Sequence, residues 1–159
     1  MVLFEITNFL VKWNKKMKQQ PSRLKYKKYH KPSSSCLYLK EQKNIVPIKG
    51  LLALKSLENK RITYNQLEAC RKSIKRILKK RGLVFLRIFT YHSITKKPLA
   101  SRMGKGKGTH NMWIAPIRKG QIICEVITFF LSNINLGEKA LISGGTKLPF
   151  KTKIISNLY

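Results

Sequence analysis

Residues 62–90 read I-T-Y-N-Q-L-E-A-C-R-K-S-I-K-R-I-L-K-K-R-G-L-V-F-L-R-I-F-T, and this stretch holds the clearest secondary-structure signals of the chain. Thr63 followed by Gln66 has the spacing of a capping box, which predicts that a helix begins at this point. Gly82 stands where a left-handed residue would end that helix, and the mostly apolar run 83–90 then predicts a strand. A long helix joined to an apolar strand indicates a fold of the α+β class. The apolar face of the helix consists of Leu67, Cys70, Ile74, Ile77 and Leu78.

The other positions of this helix carry a high density of cations. Like charges four residues apart, such as Arg71 with Lys75, destabilise an isolated helix. A phosphate backbone lying along the face would reverse that cost, whereas a solvated cationic helix is the alternative interpretation. We favour a nucleic-acid surface, formed by Arg71, Lys72, Lys75, Arg76, Lys79, Lys80 and Arg81.

The charge balance of the whole chain indicates the same kind of partner. The 159 residues include 34 Lys and Arg against 6 acids, all of them Glu, which gives a formal net charge of +28. Such a surplus opposes a compact free state by self-repulsion and favours a polyanionic partner. The shortage of acids disfavours carboxylate-pair hydrolases, two-metal nucleases and acidic Ca²⁺ sites. Residues 69–124 contain no acid at all, so this part of the chain is poorly equipped for general acid–base catalysis.

Outside the stretch 62–90 the sequence predicts mostly strands. With 43% hydrophobic residues the chain can bury a core, and its length suits one domain, with or without extensions. Lys119-Gly120, between two apolar runs, predicts a hairpin turn. The further predicted elements are a strand over 45–54 interrupted by Pro47 and Gly50, a loop over 55–61, an extended piece over 92–100, hairpin strands over 112–118 and 121–127, a weak glycine-containing helix over 132–145 and an edge strand over 148–155.

Cysteine and histidine residues give no pattern for catalysis or metal binding. Cys36, Cys70 and Cys124 are far apart and odd in number, which favours buried thiols in a reducing compartment over zinc ligands. His92 and His110 have no neighbouring Cys nucleophile or Asp orienter, so no catalytic triad is indicated. We therefore expect neither a metal nor a cofactor.

The first 19 residues place apolar side chains at helical spacing and are followed closely by lysines, as in a helix that lies on a membrane surface. Glu5 and Asn8 interrupt the polar face with little positive charge. We therefore favour an N-terminal extension over 1–19 that docks on a neighbouring protein or RNA, and we do not expect a membrane partner.

Residues 20–44 are predicted to form a basic extended arm and linker. Cations alternate there with aromatic rings, a combination that suits phosphate contacts together with base stacking. The arm has too few apolar residues to bury itself, so we expect it to be ordered against a partner; a solvated linker is the alternative. The candidate binding residues are Arg23, Lys25, Tyr26, Lys28, His30 and Lys31.

Residues 96–110 read K-K-P-L-A-S-R-M-G-K-G-K-G-T-H and combine glycines with cations. Alternating glycines remove Cβ atoms and permit positive φ, so the backbone can approach another backbone while the Lys ammonium groups meet phosphates. The order of Gly and Lys does not match a Walker A loop, and G-x-G-x-G does not match a dinucleotide loop. The segment therefore predicts a loop that binds a polyanion.

The sequence K-P-L-A-S-R-M-G-K-G-K-G in this loop resembles the bacterial-type large ribosomal subunit protein sixteen family and its organellar counterparts. The similarity extends well beyond the loop, although residues 1–19 have no counterpart and 55–60 resemble a short insertion. The further similar segments are the basic arm over 21–31, the first helix and its approach over 61–72, Gly82, Arg87, Phe89, 94–96, Trp113, Gly120, Glu125 and the closing K-L-P-F-K-T over 147–152.

The resemblance implies an α+β fold with a mixed or antiparallel sheet, two helices and a hammerhead-like β arrangement over 45–159, behind the basic N-terminal extension. It also implies a structural, non-enzymatic constituent of the large ribosomal subunit that supports translation. The arm, the first helix and Arg87 would hold large-subunit ribosomal RNA. A Gly/Lys loop over 101–111 would lie near the peptidyl-transferase region and transiently meet A-site tRNA, through Arg102, Met103, Gly104, Lys105, Gly106, Lys107 and Gly108.

An alternative function and the compartment follow from composition. A free basic RNA-processing or RNA-modifying enzyme is the alternative, although the sequence offers it no acid–base pair. The chain has 26 Lys against 8 Arg, and its abundant Ile and Asn likewise fit an AT-rich coding genome. We expect a mitochondrial ribosome, with the plastid as the alternative, a gene inside the organelle, and neighbouring ribosomal proteins as partners of residues 1–19.

Overall fold

The computed structural model describes residue 21, residues 24–30 and residues 45–156, except for the side chain of Leu131. Within these residues the chain forms two α-helices and seven strands, and every strand pair is antiparallel. This arrangement confirms the α+β class. The predictions that lie outside the described residues are those for 1–19, Arg23, Lys31 and Cys36.

The elements follow one another in the order strand, strand, helix, four strands, helix, strand. A short 3₁₀ turn, Leu131–Asn133, precedes the second helix. The bounds are β1 Leu52–Ser56, β2 Lys60–Thr63, α1 Tyr64–Leu78, β3 Gly82–Leu86, β4 His92–Lys96, β5 Thr109–Ile117, β6 Ile122–Thr128, α2 Ile134–Gly145 and β7 Thr152–Ser156.

Helix α1 begins as the sequence predicts. The Thr63 N–H donates to Oε1 of Gln66 at 3.0 Å, and the Gln66 N–H donates to Oγ1 of Thr63 at 3.4 Å, which completes the capping box. The end of the helix differs from the prediction. Lys79, with φ of 51°, leaves the helix while its N–H still donates to the Lys75 carbonyl, and Gly82 is the first residue of β3 rather than the terminator.

The strands form two sheets, with the orders β3-β6-β1-β7 and β2-β5-β4. The predicted hairpin is therefore wrong, because its two strands exist as β5 and β6 but belong to different sheets. Gly120 turns the chain between them with φ of 94°, and its N–H donates to the Ser56 carbonyl at 2.9 Å. An apolar run marks a strand without fixing its partner, and β6 pairs with β1 and β3 instead.

The strand boundaries before α1 also differ from the prediction. Strand β1 begins only at Leu52, after both Pro47 and Gly50, and extends through Ser56. The predicted loop over 55–61 shrinks to 57–59, because β2 begins at Lys60. Residues 45–50 form no strand, because the backbone N–H groups of 48–50 donate to the Glu125 carboxylate instead of to a neighbouring strand.

Helices α1 and α2 pack against each other and against the four-stranded sheet. Apolar side chains of α1, β1 and β6 are fully buried between these layers, and both described cysteines, Cys70 and Cys124, are buried free thiols as expected. A hydrogen bond of the neutral Cys124 thiol to Cys70, together with burial, raises the pKa of Cys124, which therefore stays protonated. Neither described helix combines the length and the apolar character that a membrane crossing requires.

The glycines of α2 have a packing role that the sequence did not reveal. A Cβ atom at Gly144 would lie 2.5 Å from Cγ1 of Ile74, so the close approach of the two helices requires glycine at this position. The hydroxyls of Ser73 and Ser143 lie 2.7 Å apart across the same contact. Strand β7 lies at the end of its sheet order and pairs with β1, so the final strand is an edge strand as predicted, but it begins at Thr152 rather than at residue 148 and does not include Pro149.

Replacing Leu67, which is fully buried on α1, with Ala should lower the free energy of unfolding by about 2–5 kcal/mol, because the cavity left behind cannot fully collapse. Urea denaturation of the purified chain, followed by circular dichroism, measures this loss. Lys72→Ala on the exposed side of the same helix is the matched control, with an expected change within about 0.5 kcal/mol. Equal midpoints for the two variants would contradict the assignment of the buried face.

Candidate nucleic-acid interface

The cations of α1 divide into one paired residue and an exposed row. Arg71 is half-buried, and its guanidinium donates to both carboxylate oxygens of Glu68 at 2.8 and 2.9 Å. The Glu68 carboxylate raises the pKa of Arg71, so this charge is largely offset within the protein. The exposed row, which we call the helix face, consists of Lys72, Lys75, Arg76, Lys79, Lys80 and Arg81.

The described part of the arm, residues 24–30, is irregular and largely exposed. Lys25, Tyr26, Lys28 and His30 all lie at its surface, as predicted for an arm that cannot bury itself. The Lys25 ammonium lies 5.6 Å from the centre of the Tyr26 ring, a cation–π distance. The arm thus presents both charge and an aromatic face to its surroundings.

The Gly/Lys loop is fully exposed from Ser101 to Lys107, and the Met103 side chain is 98% exposed. Its backbone runs through three consecutive residues with positive φ, at 93° for Gly104, 52° for Lys105 and 77° for Gly106. Glycine adopts such angles without steric cost, which explains two of the alternating glycines. The loop therefore displays lysine side chains on a tightly coiled backbone.

The predicted loop boundary at 111 is wrong, because β5 already begins at Thr109. Gly108 closes the loop, and a Cβ atom there would lie 2.6 Å from the Lys96 carbonyl oxygen at the end of β4. Lys97 reaches across the base of the loop, where its ammonium donates to the Gly104 carbonyl at 2.5 Å. Lys97 is not among the predicted loop residues, although its position beside Pro98 at the loop entrance is a usable signal.

The structure brings the arm and the loop together, although they are almost 80 residues apart in sequence. The Lys28 ammonium donates to the Lys107 carbonyl at 3.1 Å. The Lys107 ammonium in turn donates to the Tyr29 carbonyl. We call this joint region, residues 25–30 with 102–108, the arm–loop surface. It contains six cations from two separate segments, namely the lysines Lys25, Lys27, Lys28, Lys105 and Lys107 and, at the loop entrance, Arg102.

Arg87, like Arg71, is paired with a buried carboxylate, unlike the exposed lysines predicted to bind RNA. Its guanidinium donates to Oε1 of Glu125 at 2.6 Å, and the Glu125 side chain is completely buried. The same carboxylate accepts N–H bonds from three consecutive residues, at 3.3 Å from Ile48, 2.7 Å from Lys49 and 3.0 Å from Gly50. The Arg87 charge therefore serves the folded structure directly.

The structural role of Glu125 is not among the predictions from sequence. The available signal is that it is the first acid after a stretch of 56 residues without one, at 69–124, and that it lies within an apolar strand. A buried carboxylate needs several donors to offset its desolvation. These donors come from a segment 75 to 77 residues away and from Arg87, so no local pattern reveals them.

The histidines and acids of the described residues form no cluster of three or more potential metal ligands. Burial, reinforced by the Arg61 charge, lowers the pKa of His92 below its usual value. The His92 ring is therefore neutral near pH 7 and lies 4.2 Å from the Tyr91 ring, measured between centroids. It adds no positive charge to the surface.

Comparison with known proteins gives one consistent result. The family model described as ribosomal protein L16p/L10e matches residues 21–155. The chain is similar to large ribosomal subunit protein uL16 of Acinetobacter baumannii, with 37% identity over 86% of this chain and 96% of that protein. The corresponding values are 39%, 86% and 95% for uL16 of Psychrobacter arcticus, and 37%, 87% and 97% for uL16 of Buchnera aphidicola subsp. Cinara cedri.

Replacing Glu125 with Gln should lower the free energy of unfolding by about 3–5 kcal/mol, because Arg87 loses its buried counter-charge and the amide presents N–H groups to N–H donors. Urea denaturation of the purified variant measures the loss. Glu58→Gln is the matched control, since Glu58 makes an exposed ion pair with Lys60, and its midpoint should not change resolvably. Coincident unfolding curves for both variants would contradict the central role of Glu125.

Proposed function

Because this chain belongs to the ribosomal protein L16p/L10e family and is a structural constituent of the large ribosomal subunit, we propose that its arm–loop surface and helix face bind large-subunit ribosomal RNA. The observation that carries the proposal is the pair of hydrogen bonds that Lys107 makes with Lys28 and Tyr29, which joins two exposed cationic segments into one surface. A polyanion passing over this surface meets both segments at once.

The charges of these surfaces are available because the nearby acids are already paired. Glu68 and Glu125, both buried, are bonded to Arg71 and Arg87. Other exposed cations lie elsewhere on the described residues, but those of α1, the arm and the loop are grouped, so phosphates can replace solvent along them. Phosphate contacts fix the register and orientation of a nucleic acid rather than read its sequence. The proposed role is therefore to hold ribosomal RNA in position.

For the Gly/Lys loop we further propose a place near the peptidyl-transferase region, where it transiently contacts A-site tRNA. Its support is the exposure of Arg102 to Lys107, whose backbone is held at the base of the loop by Lys97 and Gly108 and is bonded to the arm at Lys107. A loop of this kind can extend from a protein bound to ribosomal RNA towards a tRNA that binds transiently.

The proposal gives the chain no catalytic step. A free RNA-processing or RNA-modifying enzyme requires acid–base groups at an accessible site, and no observation on the described residues favours one. Sedimentation separates the two functions. A ribosomal constituent should co-migrate with large subunits in high salt, whereas a free enzyme should remain at the top of the gradient, and the latter result would overturn the proposal.

We place this ribosome in the mitochondrion, with the plastid as the alternative, on the strength of the bias of 26 Lys against 8 Arg. Neighbouring ribosomal proteins are the proposed partners of residues 1–19. Immunodetection in large subunits from purified mitochondria and plastids tests the compartment, and cross-linking from residues 1–19 tests the partners. Finding the gene in nuclear DNA with a cleaved presequence would overturn the expectation of an organellar gene.

Replacing Lys105 and Lys107 together with Ala should weaken binding to large-subunit ribosomal RNA and make it less dependent on salt. Each lost phosphate contact should reduce the slope of log affinity against log salt by roughly 0.7–0.9. The measurement is filter binding of the in-vitro transcribed RNA at several salt concentrations. In cells the same variant should impair subunit assembly or the accommodation of A-site tRNA.

The matched control for the double variant is Lys139→Ala, which removes an exposed lysine of α2 that lies outside the arm–loop surface and the helix face. Its affinity and salt slope should stay close to those of the unmodified chain. Unchanged RNA affinity in the double variant, with normal polysomes and elongation, would count against the functional role of the loop.

A further inference from the structure

Two adjacent phenylalanines are exposed directly after β6. Phe129 is 43% exposed and Phe130 is 69% exposed. Large apolar rings of this kind are usually buried in a free-standing fold, and adjacent exposed apolar side chains commonly mark a binding site. Neither residue belongs to the arm–loop surface or to the helix face, so the proposed function does not yet account for them.

The fold holds these rings beside the cationic end of the helix face. Gly82 pairs with Thr128 at the start of β3, and a Cβ atom at Gly82 would lie 2.6 Å from the Ile127 carbonyl oxygen. One residue further out, the Phe129 N–H donates to the Arg81 carbonyl at 3.1 Å. The close backbone approach therefore keeps the aromatic pair next to the turn that follows α1.

That turn carries three consecutive exposed cations, Lys79, Lys80 and Arg81. The Arg81 N–H donates to the Leu78 carbonyl at 2.9 Å, and Lys79 is held with positive φ. We call the combination of residues 79–81 with 129–130 the aromatic–cationic edge. It presents three cations on a hydrogen-bonded backbone turn and two apolar rings within one short stretch of surface.

We propose that the aromatic–cationic edge binds an unpaired nucleotide of ribosomal RNA, with its base stacked on Phe130 and its phosphates contacted by residues 79–81. This inference rests on the proposed function, since it assigns a second RNA contact at the end of the helix face. Base–aromatic stacking tolerates any base because every base has a π-face. The backbone of the same RNA can continue along the row of cations on α1.

The positive charges of residues 79–81 favour RNA over a protein as the partner of this edge. The core of a protein–protein interface is depleted in lysine, whereas Lys79, Lys80 and Arg81 stand next to the rings and would have to be desolvated by an apolar partner. A single-stranded nucleic acid satisfies both halves of the edge, because its phosphates meet the cations and its base covers the ring.

Three substitutions at Phe130 separate stacking from general apolar contact. Filter binding of in-vitro transcribed large-subunit ribosomal RNA measures the affinity of each purified full-length chain. Phe130→Ala should weaken binding roughly 5-fold to 150-fold, the equivalent of losing one stacked base. Phe130→Trp should keep or increase the affinity, and Phe130→Leu should resemble Phe130→Ala because leucine has no π-face.

The salt dependence gives an independent readout. Phe130→Ala should leave the slope of log affinity against log salt unchanged, since no phosphate contact is lost. Lys80→Ala with Arg81→Ala should reduce that slope by roughly 0.7–0.9 for each lost contact. Ile142→Ala, which removes an apolar side chain that is 59% exposed on α2, is the matched control and should change neither quantity.

Ultraviolet cross-linking of large subunits that contain the unmodified chain adds a test that requires no variant. A Phe130–nucleotide cross-link is the expected result. Unchanged affinity of Phe130→Ala, or affinity of Phe130→Leu equal to that of the unmodified chain, would overturn the stacking proposal, as would a cross-link from Phe130 to a protein. If the unmodified chain itself failed to bind the RNA, the proposed function would be wrong. If it bound the RNA but Phe130→Ala bound equally well, only the stacking proposal would be wrong.

Discussion

The buried carboxylate of Glu125 is the interaction on which the arrangement of the sheet depends. It lies in β6, the strand that pairs with both β1 and β3, and it gathers three consecutive backbone N–H groups and the Arg87 guanidinium. Because side chains alternate along a strand, Glu125 and its neighbours Cys124 and Val126 face opposite sides of the sheet. The helices pack on one side. On the other side, hydrogen bonds to Glu125 hold residues 48–50 directly before β1 begins. A single anion thereby fixes where the first strand starts in a chain that repels itself.

The arginines and the lysines of this chain have separate tasks. Two arginines, Arg71 and Arg87, are half-buried and bonded to carboxylates, a use for which the planar guanidinium fork is suited. The lysines of α1, the arm and the loop remain at the surface. Among the described residues, much of the positive charge therefore faces outward, and the two buried acids, Glu68 and Glu125, pair with arginines inside the fold.

Local signals made part of this fold predictable and long-range contacts set the limit. The start of α1 was predictable, because a capping box involves residues three apart, and the buried face of the helix follows from its periodicity. The helix end was not, because Lys79 adopts the left-handed conformation without glycine. The partners of β5 and β6 depend on contacts across the fold, so an apolar pattern with a turn between the strands suggested a hairpin that does not form. Likewise, the residues of the arm and the loop were identifiable from composition, while the contact between Lys28 and Lys107 was not.

Strand β7 pairs with β1 through one of its edges and lies at the end of its sheet. An open strand edge is a template on which a second chain can add its own strand, the first step of aggregation. Lys151 and Lys153 at this edge are exposed, and Pro149 stands just before it. Lysine and proline at an edge hinder such pairing by charge and by a missing N–H. The positive charge of this chain thus has a second consequence at the β7 edge, where it opposes strand pairing between copies.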